Sequence, residues 1–129
     1  MSGNNRFLLD TNFLIYALSN PVKLPQIGLC FSVISKIELL AYSGLTEFEN
    51  QKIRTVLSLL KEVMIDDVIV EKTIVIRKQG NLKLPDSLIL ASALQMDAVL
   101  VTNDKKLLAC EGSISIDVDA FLHEHCHHD

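Results

Sequence analysis

Four carboxylates in this 129-residue chain are placed for chemistry: Asp10, Glu38, Asp86 and Asp104. Asp10 ends the apolar stretch "RFLL", and Asp104 sits just past "AVLVT". Glu38 falls in the first turn of a helix expected over 35–42, and Asp86 follows Pro85 at another helix start. Asp86 shares a helical face with Ile89, Leu90 and Ala93, and Glu38 lies beside Ile34, Ile37 and Ala41. Each side chain is therefore expected along the buried side of its element. Four carboxylates in one cleft repel one another unless a cation neutralises them. Hard divalent ions take oxygen ligands of this kind, and Mg²⁺ keeps several waters while using one or two carboxylates directly. Such ions lower the pKa of bound water and stabilise the charged transition state of phosphodiester cleavage. The pattern is thus consistent with metal-dependent phosphoryl chemistry. Acids are also favoured at helix N-termini for capping and for the macrodipole. Ser35 and Glu38 have the spacing of a capping box, and spacing alone leaves both readings open.

The elements that must position these acids alternate. Strands are expected at 6–9, 29–34, 63–66, 98–102 and 113–117. Helices are expected at 13–19, 35–42, 46–63, 67–79, 85–97, 104–110 and 118–125, with Gly44 and Gly80-Asn81 as stops. The loop after the first helix is punctuated by Asn20-Pro21 and Pro25. In the helix at 46–63, Phe48, Ile53, Val56, Leu57 and Leu60 form the apolar stripe, and Asp67 is placed to cap the next helix. Strands that read as continuous apolar runs, separated by helices, predict a mostly parallel sheet covered on both faces, a three-layer α/β/α sandwich. In such a sheet all strand carboxyl ends lie along one edge, where ligands bind at a switch in strand order. Asp10, Glu38, Asp86 and Asp104 are all expected on that edge.

The length suits one domain over 1–129, with 118–129 as terminal helix and polar tail. Apolar residues make up 49% and charged residues 22%, as in a compact globule, and with no Trp the core is built from Leu, Ile, Val and Ala. Three cysteines without paired spacing suit a reducing compartment. The opening residues lack a signal-peptide pattern and no apolar run reaches 18 residues, so a cytoplasmic protein without a membrane span is expected.

The four acidic segments carry a resemblance. "FLLDTNFLIYAL", "SVISKIELLAY", "LPDSLILASAL" and "AVLVTNDKKL" occur in this order and span residues 7 to 108. They resemble the motifs of PIN-domain proteins, most of all the single-domain VapC-type toxins. An apolar strand ends in Asp-Thr-Asn, and Ser-x-x-Glu-Leu follows a second strand. Asp-x-x-Ile-x-Ala-x-Ala comes next in the family, and Thr-x-Asp closes a further strand. The resemblance implies a PIN-like fold and an endoribonuclease using Mg²⁺ or Mn²⁺, with a homodimer and a cognate antitoxin that plugs the site. It implies Asp10, Glu38, Asp86 and Asp104 as the acidic site, with Asp10, Asp86 and Asp104 holding metal. Thr11, Asn12 and Thr102 or Asn103 become supporting hydrogen-bonders. Relatives often carry a second Asp and then Phe after the last motif, where this chain has Lys106-Leu107. Four carboxylates remain, a set suited to one tightly held ion.

A net charge of −4 sits uneasily with a polyanionic substrate. Lys105 and Lys106 follow Asp104, while Arg77, Lys78 and Lys83 precede Asp86. These cations either border the cleft and meet phosphates or are solvated helix surface. The tail "HEHCHHD" reads as a polar chain end or a transition-metal site, and Cys30 and Cys110 read as packing. In the helices of 46–79, Phe48, Ile53, Leu57 and Ile76 are core or interface residues. Two other functions compete. One is a non-catalytic interaction protein on the same fold. The other is a haloacid-dehalogenase-like phosphatase, which needs an acid two residues after the first Asp, where Asn12 stands.

Overall fold

A computed structural model describes residues 6–20, 22–25, 28–110 and 115–125. Among them, five strands form one parallel sheet in the order β3-β2-β1-β4-β5. The strands are β1 (Arg6–Leu9), β2 (Gly28–Ser32), β3 (Lys61–Val63), β4 (Val99–Val101) and β5 (Ser115–Ile116). The helices are α1 (Thr11–Ser19), α2 (Val33–Leu40), α3 (Glu47–Ser58), α4 (Asp67–Lys78), α5 (Leu84–Gln95), α6 (Lys105–Leu108) and α7 (Val118–His125). The chain builds outward from β1 to β3, then returns through α4 and α5 to place β4 on the other side of β1. The order therefore reverses between β1 and β4, and this crevice is where an open α/β sheet receives ligands.

Successive strand residues point to opposite faces, and the core divides accordingly. Phe7, Leu9, Leu29, Phe31, Val99 and Val101 face one layer, which takes Phe13 and Leu14 of α1, Ile53 and Leu57 of α3, and Phe121 of α7. Leu8, Cys30 and Leu100 face the other, against Ile69 and Ile76 of α4 and Ile89, Leu90 and Ala93 of α5. Cys30 is a core residue whose thiol is pushed up to about 11 by burial. Cys110 is half-buried, its Sγ 3.1 Å from the Lys106 carbonyl.

Several boundaries differ from the sequence expectation. β2 ends at Ser32, and Val33 and Ile34 open α2 because the Ser32 hydroxyl accepts the Ile34 N–H at 3.1 Å. Apolar residues alone do not separate a buried strand from the helix that follows it. Ser35 is therefore inside α2 and does not cap it. The capping box lies instead at Thr46 and Glu49, where the Thr46 hydroxyl accepts the Glu49 N–H and the Glu49 carboxylate accepts the Thr46 N–H. α3 stops at Ser58 and β3 runs 61–63, earlier than expected, because β3 is an edge strand that tolerates the Lys61–Glu62 pair of polar residues. Asp66, one residue before Asp67, caps α4 by accepting the Ile69 N–H at 2.8 Å. Phe48 is 77% exposed. It precedes Ile53 by five residues, about 140° round the helix from the buried face, whereas Ile53, Leu57 and Ile76 are core. Gly80 terminates α4 with φ +80°, as a C′ glycine should. Residues 113–114 of the expected last strand, and Cys126, His127 and His128 of the tail, lie outside the described residues. His125 packs on Phe7 and Phe121, with ring centroids 4.7 and 5.3 Å apart.

Candidate active site

Each acid reaches its place by a local rule. Asp10 leaves β1 in extended conformation and caps α1, its Oδ1 accepting the Phe13 N–H at 2.8 Å. Its own N–H donates to the Val101 carbonyl at 3.2 Å, tying it to β4 across the strand-order switch. Asp104 leaves β4 and caps α6, its Oδ1 accepting from the N–H groups of Lys106 (2.8 Å) and Leu107 (3.2 Å). Asp86 stands in the first turn of α5, just after Pro85, where the N-cap residue Lys83 supplies no side-chain cap. Glu38 lies in α2, and its Oε1 accepts the Thr11 hydroxyl at 2.6 Å. The Thr11 oxygen is also 2.8 Å from the Ser35 hydroxyl.

These four carboxylates, from segments far apart in sequence, line a single cleft of about 470 Å³. Thr11 and Asn12 line it too. Its far wall is mostly apolar, formed by Ile15, Leu39, Tyr42 and Ile53, with Glu49 and Lys52 also lining it and Lys52 donating to the Leu18 carbonyl at 2.9 Å. Composition and spacing missed this wall: Ile53 read as core or interface, and nothing singled out Ile15, Leu39 or Tyr42. Thr102 is fully buried beneath the acids. Its hydroxyl accepts the Asp104 N–H at 3.0 Å and lies near enough to Asp10 to favour the charged form of that carboxylate, so one side chain serves both. Asn103 does not join the site. Its Oδ1 accepts the Val118 N–H at 2.9 Å, fastening the exit of β4 to α7. None of Lys83, Lys105 and Lys106 lines the cleft itself: Lys83 and Lys106 are close enough to influence Asp86, while Lys105 is exposed on α6. Arg77 and Lys78 line a separate shallow groove between α4 and α5, where Arg77 donates to the Leu82 carbonyl.

The electrostatics agree with crowding. Burial raises the pKa of Asp10. The Thr102 hydroxyl and the Phe13 N–H work against it, and the charges of Asp86 and Asp104 add to it. Asp86 is raised first by burial and then by Asp104 and Glu38, with Lys83 and Lys106 opposing. Among the described residues no three His, Cys, Asp or Glu side chains stand close enough to hold one ion. The donor set nevertheless fits a hard, hydrated divalent cation, which takes one or two carboxylates and keeps its waters. It does not fit an all-protein zinc cage.

A stability consequence follows from the raised acids. A carboxyl whose folded pKa exceeds its unfolded value binds more protons folded than unfolded, so stability falls as pH rises from the unfolded value of 3.8 through the folded one. Without divalent metal, Asp86→Asn should melt above the parent at neutral pH, and the difference should close below pH 4. The same variant should gain less from added Mg²⁺. Thermal melts across pH, with and without the ion, check both halves. A variant that melts lower without metal and responds unchanged to Mg²⁺ would assign Asp86 to helix capping.

Comparison with curated proteins yields no match. Solved structures do match. A toxin–antitoxin complex from Klebsiella pneumoniae contains a chain 27% identical, with TM-score 0.68, over 83% of this chain and 94% of that one. VapBC2 from Rickettsia felis, bound to a DNA fragment from their promoter, is 20% identical, with TM-score 0.73, over 86% and 97% of the two chains. A protein from Pyrobaculum aerophilum is 22% identical, with TM-score 0.68, over 93% and 96%. The last two likenesses are of fold alone. The pattern of the PIN domain matches residues 7–111, a stretch containing all four cleft acids and every strand except β5 and the first residue of β1. This chain belongs to the PIN-domain family.

Proposed function

We propose that the protein is a divalent-metal-dependent endoribonuclease that hydrolyses RNA phosphodiester bonds, acting as the toxin of a toxin–antitoxin pair. The observation that carries this reading is the meeting of Asp10, Glu38, Asp86 and Asp104 in one cleft at the β1/β4 switch. Asp10, Asp86 and Asp104 would hold Mg²⁺ or Mn²⁺ directly or through its waters. The ion supplies charge neutralisation and Lewis acidity toward the scissile phosphate. Thr102 and the first-turn amides of α1 and α6 keep Asp10 and Asp104 aimed into the cleft. Glu38, with one oxygen tied to Thr11, has its other oxygen left to orient the attacking water or complete the ion's shell. Lys83, Lys105 and Lys106 would meet the flanking phosphates, offsetting the net negative charge and making binding salt-dependent.

The test is cleavage of RNA by the purified protein with Mg²⁺ or Mn²⁺, against the same reaction in chelator and with Asp10→Asn. Cleavage that needs the ion and Asp10 supports the nuclease. A folded protein that binds RNA or a partner yet never cleaves would point to the non-catalytic reading. The toxin assignment rests on the similar chain from Klebsiella pneumoniae, which is part of a toxin–antitoxin complex. Inhibition by a protein encoded beside this chain is its check.

A homodimer is part of the same reading, and α4 supports it. Asp67, Val70, Ile74 and Lys78 form one exposed stripe running from acid through aliphatic to base. Two such helices packed antiparallel about the turn from Val70 to Ile74 bury the aliphatics and set each acidic end against a basic end. Asp67→Lys or Lys78→Glu alone should shift the protein toward monomer in sedimentation, and the two together should restore the dimer. Equal mass for the parent and all three variants would rule this seam out.

A further inference from the structure

Four hydroxyl-bearing residues are buried inside helices among the described residues: Ser35, Thr73, Ser87 and Ser92. Three satisfy themselves in the ordinary way for a helical hydroxyl, donating to the carbonyl one turn back. Thr73 bonds the Ile69 carbonyl at 2.7 Å, Ser87 the Lys83 carbonyl at 2.8 Å, and Ser92 the Leu88 carbonyl at 2.8 Å. Ser35 turns instead across to α1, where its hydroxyl lies 2.8 Å from the Thr11 oxygen.

The direction of that bond follows from counting protons. Thr11 carries one hydroxyl hydrogen, and an ionised carboxylate can only accept. With the Thr11 hydrogen given to Glu38 Oε1 at 2.6 Å, the Ser35 hydroxyl must be the donor to Thr11. The result is a directed chain from Ser35 through Thr11 to Glu38. Each donation polarises the next hydroxyl and strengthens the bond it makes. Ser35 has no exposure at all, so water does not compete for its hydrogen.

We propose that Ser35 is a positioning residue for the Glu38 carboxylate, acting through Thr11 to hold one oxygen fixed and present the other to the cleft. This rests on the nuclease reading for what Glu38 then does, but the positioning itself is readable without turnover. Neighbours of this kind tune metal affinity or activity by about 10- to 100-fold.

The test uses Ser35→Ala, Thr11→Val, Thr11→Ser and the double variant Ser35→Ala with Thr11→Val. Mn²⁺ affinity by electron paramagnetic resonance is measured beside kcat, KM and the melting midpoint. Ser35→Ala should lower both Mn²⁺ affinity and kcat by about 10-fold with KM within twofold. Thr11→Ser, which keeps a hydroxyl, should stay near the parent, and the double variant should be no worse than Thr11→Val because the two act in series. Ser35→Cys keeps the volume but donates weakly, and it reads the same direction if the alanine variant does not fold. A Ser35→Ala protein that melts lower but matches the parent in Mn²⁺ affinity and kcat would reduce Ser35 to a tie between α1 and α2. If the parent cleaves no RNA, the nuclease reading falls alone and Mn²⁺ affinity decides the positioning.

Discussion

Asp10→Asn should reduce metal-dependent RNA cleavage by at least about 100-fold, the scale on which loss of one preorganised electrostatic group acts, while the protein stays folded. The substitution is selective because Asp10 does two jobs that Asn separates. As the cap of α1 it needs only an oxygen that accepts the Phe13 N–H, and Asn caps as well as Asp. What disappears is the negative charge, in a side chain only 4% exposed and flanked by Asp86 and Asp104. Cleavage rates in Mg²⁺ and a circular dichroism melt of the same sample check the two halves together. An Asn variant that cleaves like the parent would remove Asp10 from the chemistry and leave it a helix cap. Asp10→Ala is the informative companion, since it should also lose about 0.5–2 kcal/mol of capping.

Phe121→Ala should cost about 3–5 kcal/mol, as aromatic truncations in a packed core do, lowering the melting midpoint by roughly 10–20 °C for a chain of this size. Phe121 is completely buried, with its ring 5.2 Å from Phe7 and 5.6 Å edge-on to Phe13. It thus links α7 to β1 and to the first turn of α1, where Asp10 is held. The residue lies beyond the stretch that matches the family pattern. A terminal helix that the motifs leave unmentioned is therefore predicted to be among the largest single contributors to the core. Thermal or urea unfolding measures the loss. A midpoint within two or three degrees of the parent would mean that α7 is only loosely docked.

The fold class and the positions of Asp10, Asp86 and Asp104 were legible because both depend on local pattern. Glu38, by contrast, lies in the second turn of α2, not the first, and is exposed beside Ile37 and Ala41. Apolar runs alternating with helical stripes can bury themselves only as a covered parallel sheet, and a parallel sheet puts every strand exit on one edge. Boundaries were less legible. Val33 and Ile34 suit strand or helix equally, and the Ser32 cap decided between them. Phe48 fits an apolar tally but sits on the wrong side of α3 once Ile53 and Leu57 set the buried direction. Thr102 and Asn103 are adjacent and both polar, yet one serves the acids and the other fastens α7.

By itself, then, the amino-acid order determined the strands and helices, their layering, and which carboxylates would leave the sheet on its ligand-bearing edge. Each of those follows from periodicity and chain direction, which are properties of neighbours in sequence. Only the tertiary structure decided that Ser35 bonds Thr11 rather than capping its own helix, and that Thr102 of β4's exit stands beside Asp10 of β1's exit. It also decided that an apolar wall from α1, α2 and α3 closes the cleft. Ser35 and Thr11 lie 24 residues apart, and a hydroxyl with several acceptors in reach takes the one that packing brings within 3 Å.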